Sequence, residues 1–124
     1  MKEADAMVFV VDDDVSMRES LETLIRSVGL PVEVFASAEE FLRRKRPDVA
    51  SCLVLDVRLP GLNGLDFQRK LVEAGIEIPI IFITVHKDDA VRPRMLAEGA
   101  VECLFKPFGE TALLDALNAA LRAS

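Results

Sequence analysis

The 124-residue sequence predicts an α/β domain, a parallel β-sheet with helices on both faces. Three observations lead there. Apolar runs of about five residues alternate with longer segments of helical period, five of each. The runs are nearly continuous in apolar side chains, as in strands covered on both sides, instead of alternating apolar and polar. No linker-like stretch interrupts them, so residues 1–124 read as one domain, long enough to bury roughly two thirds of its unfolded surface.

The elements follow in order. "MVFVV" (7–11) reads as a buried strand. From Val15 to Val28, the residues Met17, Leu21, Leu24, Ile25 and Val28 repeat at helical spacing, and Gly29 is a natural stop. "VEVF" (32–35) is a short second strand. In "SAEEFL" Ser37 stands three residues before Glu40, a capping box that opens a second helix, whose length Pro47 limits. "CLVLD" (52–56) is a third strand, closing on a carboxylate. "PGLNG" (60–64) is a turn, with Pro60 fixing φ and Gly61 free to take positive φ. A helix through Phe67, Leu71 and Val72 ends near Gly75. "IIFIT" (80–84) is a fourth strand that closes on a hydroxyl, and a weaker helix covers about 90–98. "ECLF" (102–105) is a fifth strand. Leu113, Leu114, Leu117 and Leu121 form the inner stripe of a last helix.

Composition narrows the function classes. A hydrophobic content of 51% beside 29% charged residues is ordinary for a soluble globular chain. A net charge of −6 argues against direct nucleic-acid binding, which shows as a basic patch or stripe. Cys52 and Cys103 form no CxxC and sit in apolar runs, so they are expected as buried, reduced thiols. The N-terminal segment has no signal-peptide h-region, and no stretch reaches the roughly 18 apolar residues of a membrane span. The expected location is cytoplasmic.

In doubly wound sheets functional groups gather outside the carboxyl ends of the strands. Asp12, Asp13 and Asp14 follow the first strand, Asp56 ends the third, Thr84 ends the fourth and Lys106 follows the fifth. All are therefore expected on one edge of the sheet. Three converging carboxylates, Asp12, Asp13 and Asp56, repel unless a cation sits among them, and oxygen-only ligands favour a hard ion such as Mg2+. A carboxylate beside such an ion can act as nucleophile toward a phosphoryl group. An ammonium and a hydroxyl, Lys106 and Thr84, would help neutralise the phosphoryl oxygens. Asp14 reads as the N-cap of the helix that follows. An EF-hand is excluded: counted from Asp12, position six is Met17 rather than Gly, and position twelve is Thr23.

The pieces "VVDDDVSMRESL", "LVLDVRLPGLNGLD", "IPIIFIT" and "GAVECLFKPF", in this order and spacing, resemble the receiver domains of two-component response regulators over essentially the whole chain. "PGLNG" and "GAVECLFKPF" look most like receivers fused to helix-turn-helix output domains. The resemblance implies a flavodoxin-like fold with sheet order 2-1-3-4-5. It implies Asp56 as phosphoacceptor and Asp12 and Asp13 as the acid pair. Mg2+ would be held by Asp12, Asp13, Asp56 and a main-chain carbonyl, for which the family pattern points to Arg58 over Val57; Mn2+ or Ca2+ would substitute. Thr84 and Lys106 take the switch-hydroxyl and phosphate-pairing roles. The Lys106–Pro107 peptide is expected to be cis, and His86 and Arg58 to tune phosphoryl lifetime. The implied partners are a sensor histidine kinase and a second copy through the face of helix four, strand five and helix five. No external substrate is turned over. With nothing of an output domain after the fifth helix, the chain is expected either as a single-domain regulator or as a receiver cut from a longer one.

Three departures from the family pattern bear on switching. Val85 follows Thr84, where a small residue is usual. Cys103 occupies a position where an aromatic commonly swings inward. Pro93 falls in the fourth helix, where it removes a donor. They keep open the alternative of a degenerate receiver that binds partners without phosphorylation. An aspartate-nucleophile phosphohydrolase of the haloacid dehalogenase type also carries an Asp after a strand. It requires a second Asp two residues later, where Arg58 stands, and a cap domain that is missing here.

Overall fold

The structure is a computed structural model that describes residues 6–44, 50–56, 58–59, 62–84, 91–97, 99–106 and 108–123. β1 (Ala6–Val11) begins one residue ahead of the "MVFVV" run, and α1 (Val15–Ser27) follows it. β2 (Val32–Phe35) leads to α2 (Ala38–Arg43). β3 (Ala50–Asp56) starts two residues earlier than "CLVLD" indicated. β4 (Arg58–Leu59) and β5 (Leu62–Asn63) form a two-residue antiparallel ladder. α3 (Gly64–Glu73), β6 (Ile80–Thr84), α4 (Val91–Ala97), β7 (Glu102–Phe105) and α5 (Glu110–Ala123) complete the chain.

The main sheet has the order β2-β1-β3-β6-β7 and every pair is parallel. Counted over these five strands it is the expected 2-1-3-4-5. Among the described residues the β4–β5 ladder is the one addition. It takes up Leu62 and Asn63 of "PGLNG" as strand, pairing Arg58 with Asn63; Pro60 and Gly61 lie outside the described residues.

Successive strand residues point to opposite faces, and this divides the apolar side chains into two cores. Phe9, Val11, Leu53, Leu55 and Phe82 face α2, α3 and α4, where they meet Phe41, Phe67, Leu71 and Met95. Val8, Val10, Val54, Ile81 and Ile83 face α1 and α5 and meet Leu21, Ile25, Leu113 and Leu117. Phe41 lies at the centre of the first core, edge-on to Phe9, Phe35 and Phe67 with ring centroids 5.4, 5.6 and 6.0 Å away. Both cysteines are free thiols in these cores, and burial pushes the Cys52 thiol up to about 12.

Helix boundaries follow local chemistry. Asp14 caps α1, its Oδ1 accepting from the Ser16 and Met17 N–H groups at 2.9 and 3.4 Å. Gly29, with φ 86°, ends that helix. Ser37 Oγ accepts from Glu40 N–H at 3.2 Å, and Glu40 Oε1 reaches back to the Ala36 N–H at 3.3 Å, one residue beyond the Ser37 N–H that a regular capping box engages. Pro93 is the third of the described residues of α4. Val72 lies within α3, as expected, and is 71% exposed there. Among the described residues no helix is long and apolar enough to cross a membrane.

Candidate functional site

The strand order places a switch point between β1 and β3. The chain leaves β1 through α1 toward β2, whereas β3 lies on the other side of β1, and a crevice opens at their carboxyl ends. Val11 pairs with Leu55, so Asp12 and Asp56 each stand one residue past a paired position on neighbouring strands. α1 is capped at Asp14, which leaves only Asp12 and Asp13 to make the turn out of the sheet.

Asp12 is fully buried, Asp13 exposed and Asp56 half-buried. One carboxylate oxygen from each lies within 4.8 Å of the others. Thr84, 2% exposed, ends β6, and its carbonyl accepts from Lys106 N–H at 2.7 Å, which ties the exit of β7 to that of β6. The Lys106 Nζ stands 3.6 Å from Asp56 Oδ2 and 3.7 Å from Asp12 Oδ2. The edge arrangement expected from strand ends is therefore found for Asp12, Asp13, Asp56, Thr84 and Lys106.

Asp12 Oδ1 accepts from the Asp14 N–H at 2.9 Å, whereas the buried Oδ2 has no hydrogen-bond partner among the described residues. Burial holds the Asp12 carboxyl above its ordinary range. The charges of Asp56 and Asp13 push in the same direction, against the Asp14 N–H bond and Lys106. Among the described residues, three carboxylates gather where one ammonium pairs with two of them, and one buried oxygen of the cluster lacks a donor. Such a set fits a hard divalent cation, which satisfies an acceptor that carries no proton.

Arg58 lies two residues past Asp56 in β4. Cys103 is 2% exposed and packs in the core on the α2–α4 face. Val85, His86 and Pro107, with its expected cis peptide, lie outside the described residues. At the site itself a contact escaped the sequence: Arg18 Nη1 donates to the Asp12 carbonyl at 2.7 Å. Its signal was an arginine in the first turn of the helix after "DDD", but the partner is a backbone atom and leaves no trace in the pattern.

A doubly wound parallel sheet with an acidic cluster and a lysine gathered at its switch point, and a buried threonine closing the next strand, defines the class of molecule. The chain belongs to the response regulator receiver domain family, whose family model matches residues 8–118. It is 59% identical to nodulation protein W of Bradyrhizobium diazoefficiens over 115 residues, 93% of this chain and 51% of that protein. It is 44% identical to response regulator protein TodT of Pseudomonas putida over 122 residues, 98% of this chain and 54% of that one. The chain thus spans about half the length of these curated relatives. Among solved structures, the crystal structure of FixJ-N is similar with a TM-score of 0.87 and 35% identity, over 100% of this chain and 98% of that one. Response regulator StyR has a TM-score of 0.87 and 48% identity, over 95% of this chain and 60% of that one.

Proposed function

We propose that this domain is a phosphoaccepting switch in which Asp56 is the nucleophile. The observation that carries the reading is the Lys106 ammonium standing between Asp56 and Asp12 beside a buried carboxylate oxygen that lacks a donor among the described residues. An Asp56 carboxylate oxygen attacks the phosphorus of a phosphohistidine on a sensor kinase, or of a small phosphodonor. A P–O bond to Asp56 forms, and the bond from phosphorus to the donor breaks. Lys106 exchanges its pairing with the carboxylate for pairing with a phosphoryl oxygen, and the Thr84 hydroxyl donates to another. Asp12, Asp13, Asp56 and the Arg58 carbonyl would hold one Mg2+, with Mn2+ or Ca2+ as substitutes, which neutralises charge on the phosphoryl oxygens when bound.

The 2.7 Å bond between the Thr84 carbonyl and Lys106 N–H couples these two groups, so movement at one is felt by both β6 and β7. The output surface is the α4–β7–α5 face, through which two copies would associate. His86 and Arg58 set how long the phosphoaspartate survives. The domain acts in the cytoplasm and turns over no external substrate. Its acidic charge supports leaving nucleic-acid contact to other parts of a longer regulator; one relative, 35% identical, bears the name transcriptional regulatory protein FixJ.

Incubation with acetyl phosphate and Mg2+ is expected to add a single phosphoryl group by intact mass, and Asp56→Asn to abolish the addition. A wild-type protein that stays unmodified with both a kinase and small donors would transfer the reading to a domain that binds partners without phosphorylation.

A further inference from the structure

We infer that Arg18 is a positioning residue for the acidic cluster: it fixes the backbone of Asp12 from α1 and so aims Asp12 and Asp13 at the cation they hold. The inference rests on the metal-binding role proposed above. Asp12 is the first residue past the β1 ladder. Its N–H is still used by the sheet, donating to the Phe35 carbonyl at 3.1 Å. Its carbonyl has passed the last paired position, and the Arg18 guanidinium takes it at 2.7 Å. With Oδ1 held by the Asp14 N–H at 2.9 Å, Asp12 is pinned at three points, and Oδ2, without a hydrogen-bond partner among the described residues, is left for a ligand.

The helix makes this contact available. Side chains on a helix lean toward its N-terminus, so the fourth residue of α1 reaches back past the Asp14 cap to Asp12, six positions earlier. A cation in the first turn of a helix opposes the macrodipole and belongs by that rule at the other end. Here the carbonyl and the neighbouring carboxylates offset the opposition. The half-buried guanidinium is thus a permanent positive charge next to Asp12, present whether or not a metal is bound. Without it the Asp12 carbonyl loses its donor and the two-residue turn between β1 and α1 is free to rotate both carboxylates out of register with Asp56.

The test is titration of the full chain with Mg2+ alone. The chain has no Trp and no Tyr, so heat is a better readout than fluorescence. Arg18→Ala is expected to weaken Mg2+ affinity by about tenfold or more, the usual scale for a group that orients a metal ligand. Arg18→Lys, which keeps a cationic donor on a stem of similar reach, should recover most of it. Arg18→Met, which keeps the apolar stem without donors, should bind as weakly as the alanine variant and serves where Arg18→Ala does not fold. A variant without donors that is folded by circular dichroism and binds Mg2+ as tightly as wild type overturns the inference. So does a lysine variant no better than the methionine one. Wild-type protein that binds no Mg2+ instead overturns the metal-binding reading, and the role of Arg18 with it.

Discussion

Asp12 has no solvent exposure, yet its Oδ2 meets no hydrogen-bond donor among the described residues and only an ammonium at 3.7 Å. Desolvation and the charges of Asp56 and Asp13 all work against its ionised form. A carboxylate in such a place works against folding, and a bound cation would offset that cost. Asp12→Asn is therefore expected to raise Tm in metal-free buffer by a few degrees, the scale of about 1 kcal/mol in a domain of this size. The same change should remove the additional stabilisation that Mg2+ confers on the wild type. Thermal denaturation with and without the metal measures both effects. If the metal-free Asp12→Asn variant is less stable than wild type, the carboxylate is structural.

At the level of elements, much was legible in the sequence because each signal was local. Continuous apolar runs marked the five sheet strands to within two residues, and Asp14, Ser37 and Gly29 marked helix ends by side-chain bonding and positive φ. The site residues were legible for a related reason: the carboxyl end of a strand is visible in the sequence, and parallel strands bring those ends to one edge. The face each strand residue takes was not legible, since a run apolar on both sides carries no alternation. The β4–β5 ladder was invisible because two residues hold no period. Nor did the pattern reveal the Arg44 fork on Glu33, which joins the edge strand β2 to the end of α2 at 2.8 Å through Nε and 2.5 Å through Nη2. The bonds from Arg44 hold the Glu33 carboxyl below its ordinary value, against burial. A depressed carboxyl contributes stability above its unfolded value of 4.5 and loses it as pH falls through the lower folded value. Arg44→Ala should accordingly lie below wild type in Tm at neutral pH, and the gap should narrow as the solution is acidified below 4.5. A gap unchanged in acid would assign the loss to contacts other than this pair.

Over the whole molecule, one sheet serves two cores, one on each face. Phe9 and Val11 belong to the α2–α4 side, and Val8 and Val10, from the same six-residue strand, to the α1–α5 side. Neither core can dissolve without stripping one face of β1, β3 and β6, and a strand bared on one face has lost what keeps it in place for the other. The two cores should therefore melt together even when only one is damaged. Phe41→Ala opens a cavity among three aromatic rings on the first side, expected to destabilise by about 3–5 kcal/mol. Leu117→Ala does so on the second side, at about 2–5 kcal/mol. These are large parts of a total stability of roughly 5–15 kcal/mol. Each variant should still unfold in urea as a single transition, with far-ultraviolet circular dichroism and hydrogen-exchange protection on the opposite face falling at the same denaturant concentration, and with the wild-type m-value. A variant that lost protection on its own side first, leaving the other core intact, would mean that the sheet does not couple them. The proposed switch would then have to carry its signal from Asp56 to the α4–β7–α5 face within a loosely joined molecule.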